Sequence, residues 1–143
     1  VTARQTIIRA ATLMDEPTVY SLAAEMATSF AVERESFRRS LGELVAADNA
    51  LLLVAETDGK VSGYVLGFTH PAFYANGRVA WVEEIAVQAG QRRQRVGALL
   101  MEEFERRALD AGARLVALAT RRAADFYLAI GYEESATYFR KLL

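Results

Sequence analysis

Residues 87–100 read VQAGQRRQRVGALL. A β-favouring run meets three arginines, Arg92, Arg93 and Arg95, and these lead at once into an amphipathic repeat that opens with Gly97. The repeat predicts a helix over residues 97–111. Leu100, Met101, Phe104 and Ala108 form its apolar face, while Glu102, Glu103, Glu105, Arg106 and Arg107 fill much of the remainder. Gly112 suits the helix end. Residues 115–119 follow as a short apolar strand of the kind covered on both faces. Residues 78–87 form a strand before the arginines, so strand, long helix and buried strand predict a parallel crossover.

The arginines stand at the wrong end of a helix for their charge. Backbone N–H groups are unpaired at a helix N-terminus, and the dipole there favours anions. Three cations at that place make sense if a phosphorylated ligand supplies the compensating charge. A solvated surface turn would also account for a run of charge. Its position between a strand and a crossover helix favours a ligand crevice, because such crevices form where α/β sheets bind their ligands. The Lys-Ser/Thr pair of a nucleotide P-loop is absent, and the glycine spacing of a dinucleotide fingerprint fails.

Working back from this segment, residues 60–69 form a strand joined through Asp58-Gly59 to an apolar strand over residues 51–56. The stretch 70–78, with Pro71, Asn76 and Gly77, reads as a loop. Residues 34–47 form a helix with Phe37, Leu41, Leu44 and Val45 on one face. An earlier helix carries Val19, Leu22, Ala23, Met26 and Phe30 at helical spacing, with Asp15 as its capping carboxylate and Pro17 in its first turn. A first strand spans residues 5–10. Working forward, residues 123–130 form a helix ended by Gly131, and the tail over residues 132–143 is rich in β-favouring Thr, Tyr and Phe. This order predicts an α/β (α+β) fold: one mixed, mostly antiparallel central sheet with helices on both faces and a parallel crossover at the ligand site. No linker or repeat divides residues 1–143, so a single domain is expected.

Composition narrows the chemistry. The chain has 143 residues, no Cys and a single His, His70. Disulfides, Cys nucleophiles and Cys/His zinc clusters are excluded, and no stretch has calcium-loop spacing. No metal is expected. The 17 basic and 18 acidic side chains leave a formal net charge of -1, which gives no global pull towards nucleic acid or anionic membrane. The N-terminal residues lack a signal-like apolar run, and no apolar stretch is long enough to cross a bilayer. A cytoplasmic protein is the expectation.

The segment R92-R-Q-R-V-G97 resembles the cofactor motif of the GNAT N-acetyltransferase superfamily, Gln/Arg-x-x-Gly-x-Gly/Ala. Arg92 takes its first position, Gly97 its last, and Arg95 stands where the middle glycine usually is. A side chain fits there if its backbone angles are ordinary. A second block, residues 123–140, is similar to the family pattern Ala-x-x-Phe-Tyr-x-x-x-Gly-Phe followed by a final strand, with Phe126, Tyr127, Gly131 and Tyr132 at the matching positions. Thr120 stands where an Asn is frequent. The resemblance implies an acetyl-CoA-dependent N-acetyltransferase. It implies that Arg92, Arg93, Gln94, Arg95, Val96, Gly97 and Ala98 grip the pyrophosphate of acetyl-CoA through main-chain amides. It further implies that Ile85, Ala86 and Val87 line the pantetheine arm, and that Thr120 and Tyr127 contact the cofactor.

By the same resemblance Tyr127 returns a proton to the departing thiolate; as a plain helix tyrosine it would pack its ring in the core. Glu83 and Glu84 are candidates to deprotonate or attract the amine, and strand alternation lets only one of them face the cleft unless a bulge resets the count. Alternation pairs Glu83 with Trp81 and Ile85, and Glu84 with Val82 and Ala86. Trp81, Phe73, Tyr74 and Phe30 are candidate walls of an acceptor pocket, although core packing explains each as well. Tyr138 and Phe139 should face opposite ways, and His70 reads as structural. The expected acceptor is the amine of a small molecule or peptide, attacked directly in a ternary complex. A homodimer is a further expectation. A non-catalytic acyl-CoA sensor and an RNA-binding protein using the arginines are the competing readings; no aromatic strand accompanies the arginines as a stacking platform.

Overall fold

The computed structural model describes residues 5–90 and 95–143. Its elements are β1 (Thr6–Ala10), α1 (Glu16–Met26), α2 (Arg34–Ala46), β2 (Ala50–Thr57), β3 (Lys60–Ala72), β4 (Gly77–Val87), α3 (Val96–Asp110), β5 (Ala113–Leu118) and α4 (Ala124–Ala129). One five-stranded sheet runs in the order β1-β2-β3-β4-β5. The first four strands pair antiparallel, and β4 pairs parallel with β5 across α3. The mixed sheet and its parallel crossover are therefore present. No helix among the described residues is long and apolar enough to cross a membrane.

Strand alternation divides the core between two faces. Leu53, Ala55, Val65, Ala80 and Val82 point to α3, where they meet Leu100, Met101, Phe104 and Ala108. Leu52, Val54, Tyr64 and Leu66 point to the opposite face, against Val19, Leu22 and Ala23 of α1 and Leu41 of α2. Each fully buried Leu or Phe contributes about 1.5–3 kcal/mol through desolvation. The helix α3 can lie this close because β3 carries glycine on either side of Val65 on the face beneath it. A methyl group at Gly67 would meet the Phe104 ring and the carbonyl oxygen of Trp81 at 2.5 Å, and one at Gly63 would come within 3.3 Å of Leu100. At the β2–β3 turn Asp58 and Gly59 both take positive φ, 53° and 79°, as the tightest hairpins require.

Several expectations are corrected. Strand β3 continues through Ala72, so the loop is only the short 3-10 turn Phe73–Ala75 with Asn76. The register with β4 carries Pro71 at the end of the ladder, paired with Arg78, where its missing N–H does little harm. Strand β5 spans Ala113–Leu118 and is an edge strand with Leu115 exposed, not one covered on both faces. The tail over residues 132–143 forms no strand. Asp15 does not cap α1 with its side chain. Its carboxylate instead accepts the Thr12 amide (2.8 Å) and both terminal nitrogens of Arg9 (2.9 and 2.8 Å), tying β1 to the start of α1.

Candidate active site

The parallel ladder between β4 and β5 ends at Val82 and Leu118, whereas β4 runs on to Val87. The strands part there, and α3 begins at the mouth of the gap. Leu99 N bonds Arg95 O (3.0 Å), so the amides of Val96, Gly97 and Ala98 precede the first turn of the helical ladder. No side chain caps them. Gly97 lies between α4 and β4: a methyl group on it would touch Phe126 at 3.3 Å and Val87 at 3.9 Å. The uncapped donors, the helix dipole and the missing side chain at Gly97 fit a phosphate-bearing ligand with an arm running along β4. Arg92, Arg93 and Gln94 lie outside the described residues.

Arg95 carries the surprise. Its φ is 60° and ψ 19°, the left-handed region, directly before α3. The condition under which a side chain fits easily, ordinary backbone angles, is not met there. A glycine would adopt this turn freely, and Arg holds it under strain. Its guanidinium lies 3.6 Å from Glu102, and both side chains are largely exposed, so the ion pair offsets little of that strain.

Tyr127 sits on α4 with 7% of its surface exposed. Its ring packs edge-on against Phe126 (4.9 Å) and Tyr132 (5.7 Å). Burial pushes its phenol above the ordinary tyrosine value, so it is held protonated and able to donate. Tyr132 spends its hydroxyl on Glu105 (2.7 Å). Thr120 accepts the Ala123 amide (3.1 Å) and so fixes the start of α4. That local bond gives Thr120 a structural use beside the cofactor contact inferred from sequence.

The two glutamates are separated by a bulge. Leu66 pairs with Glu84 but the next residue, Gly67, pairs with Val82, so Glu83 is the extra residue on β4. Simple alternation grouped Glu84 with Val82. In the structure Val82 faces α3, while Glu84 lies opposite Leu66 and meets Tyr64, on the face of α1 and α2. Tyr64 donates to Glu84 Oε1 at 2.7 Å. Desolvation and then the Glu84 charge raise the Tyr64 pKa, so the phenol stays the donor. Glu83 is exposed and accepts the indole N–H of Trp81 (2.9 Å).

On this same face a groove of about 160 Å³ separates α1 from the end of β4, lined by Leu22, Glu25, Met26, Ile85, Ala86 and Val87. The three β4 residues were expected at the site. Glu25 was missed; its one signal is a carboxylate beside Met26 at the very end of an apolar helix face. Of the expected aromatic walls, Phe73 and Tyr74 stand exposed on the 3-10 turn, and Phe30 is exposed between α1 and α2. Trp81 is stacked by Tyr138 (6.2 Å, 21°), which leaves Tyr138 60% exposed, and Phe139 is 86% exposed, so neither residue of the tail enters the core. His70 is exposed and bonds only the adjacent Pro71 carbonyl (3.1 Å).

Residues 16–132 match the sequence profile of the Acetyltransferase (GNAT) family. The aminoalkylphosphonate N-acetyltransferase of Salmonella typhimurium is 30% identical over 141 residues, spanning 95% of this chain and 90% of that protein. A transcriptional regulator from Bacillus halodurans superposes with a TM-score of 0.89 at 21% identity, over 97% of this chain and all (100%) of that one. An aminoglycoside N-acetyltransferase in complex with coenzyme A gives 0.85 at 19% identity, over 98% and 97% of the two chains. At such identities the structural likenesses speak for the fold.

Proposed function

From the premise that this chain belongs to the acetyltransferase (GNAT) family and is an acetyl-CoA-dependent N-acetyltransferase, we propose that it acetylates a primary amine of a small molecule or peptide by direct attack in a ternary complex. The observation that carries the reading is the parting of β4 and β5 at the uncapped opening of α3, with a groove across β4 on the other face. Residues 1–143 act in it as one acetyltransferase domain.

Acetyl-CoA supplies the activated acetyl group. The amides of Val96, Gly97 and Ala98, with Arg92, Arg93, Gln94 and Arg95, hold its phosphates, while Ile85, Ala86 and Val87 line its arm and Thr120 borders it. The groove residue Glu25 attracts the acceptor ammonium, and Glu84, steadied by Tyr64, takes its proton directly or through water. Glu83 adds negative potential at the rim. Tyr127, kept protonated by burial, donates to the departing sulfur. The absence of Cys agrees with transfer that needs no thiol acyl-enzyme. The similarity to an aminoalkylphosphonate N-acetyltransferase supports a small-molecule acceptor. The reading includes a homodimer, supported by the exposed Phe139, Leu142 and Leu143 of the tail.

The test is coenzyme A thiol release from acetyl-CoA across a panel of amines and peptide N-termini. Transfer to at least one class is expected, and Tyr127→Phe should lower kcat about 100-fold while leaving the KM for acetyl-CoA within about twofold. Unchanged kcat at saturation would remove Tyr127 from its role.

A further inference from the structure

The tail crosses the acceptor face instead of joining the sheet. Tyr138 stacks on Trp81 of β4, and two residues on, Arg140 Nη1 donates to Ser29 Oγ (2.8 Å) in the connector after α1. Trp81 pairs with Phe68, which packs on the same side as Tyr64 and Glu84, and Ser29 follows the end of α1 that supplies Glu25 and Met26 to the groove. The tail therefore joins Trp81 of β4 to the connector that follows α1, on the sheet face that carries the groove.

There, Arg140 meets no carboxylate among the described residues, and its hydrogen-bond partner is a neutral hydroxyl. Because the Ser29 oxygen accepts from Arg140, its own proton remains available to donate. A planar guanidinium beside a donating hydroxyl, both held by the Tyr138–Trp81 stack, is a donor set suited to a phosphonate, phosphate or carboxylate. Glu25 and Glu84 supply the opposite charge on the same face of the sheet, at the end suited to an ammonium.

Resting on the acetyltransfer reading above, we infer that the acceptor is a small zwitterion, a primary amine joined by a short linker to an anionic group, and that Arg140 with Ser29 selects the anion. Arg140 is a specificity-determining residue, remote from the transferred proton. The wild-type protein should prefer 2-aminoethylphosphonate and β-alanine to n-propylamine in kcat/KM, and comparison of the first two distinguishes a phosphonate from a carboxylate site. In Arg140→Ala the ratio of kcat/KM for the preferred anionic amine to that for n-propylamine should fall about 10-fold or more, with Arg140→Lys between, and Ser29→Ala should lower the same ratio by a few-fold. The KM for acetyl-CoA reports whether the tail variant retains its fold, and Ser29→Ala tests the same clamp without touching the tail. An unchanged ratio in both variants, or a wild-type preference for n-propylamine, overturns the inference while leaving acetyl transfer intact. Failure of the wild-type protein to acetylate any amine would strike the acetyltransfer reading itself.

Discussion

At the residue scale, Arg95 is the position where chain chemistry and backbone disagree. Its left-handed angles precede α3, and the exposed Glu102 contact offsets little of the strain. Arg95→Gly should therefore stabilise the protein by about 1 kcal/mol, read as a higher urea midpoint with an unchanged slope. Because the proposed phosphate site opens at this turn, relieving the strain should also tighten acetyl-CoA binding, which calorimetry would measure. The choice between Glu83 and Glu84 was not legible in sequence. Alternation was applied correctly, but the inserted residue that breaks it leaves no mark in WVEEIAV, since the register shift is defined against Leu66 and Gly67 of the neighbouring strand. Tyr127 and Gly97 enter the proposed site through the resemblance, whereas Glu25 comes to line the groove only through tertiary packing.

At the element scale, α3 and its strands read well because their periodicity is set by local chemistry: an apolar stripe every three to four residues, ended by Gly112 at φ 94°. What periodicity could not convey is why α3 lies where it does, over Gly63 and Gly67 of β3. Gly67→Ala tests this. The methyl would press on the fully buried Phe104 ring and on a backbone carbonyl, neither of which can move cheaply, and should destabilise the protein by about 1–3 kcal/mol in denaturant titration. The tail misled for the opposite reason. Its Thr, Tyr and Phe favour a strand, yet Trp81 and Ser29 capture Tyr138 and Arg140 individually, and side-chain contacts override the β preference.

At the scale of the whole molecule, β1 is linked to the start of α1 by an ion pair between Arg9 and Asp15. The Arg9 guanidinium holds the Asp15 carboxyl below the usual range, although burial acts against this. A carboxylate with a depressed folded value stabilises the protein above its unfolded pKa, about 3.9, and loses that contribution as pH falls through the folded value. Thermal stability should thus decline below about pH 4. Asp15→Asn should be less stable at pH 7 by about 2 kcal/mol and should show a shallower acid decline, measured as urea midpoints between pH 7 and pH 3. Glu103 is also depressed, to about 2, chiefly by Arg106 and then Arg107, but it is tied to neighbours on its own helix and tests helix chemistry more than the link between β1 and α1. The extra residue at position 83 has a consequence for the chain as a reading frame. Because Glu83 is the surplus residue, deleting it would mend the ladder and leave every later rung on its present face: Glu84 would follow Val82 directly and still lie opposite Leu66, and Ile85 would still turn towards α3. A chain shortened there keeps its facing carboxylate and loses the bend and the rim charge, so a fall in its turnover would report those two and not the loss of Glu84.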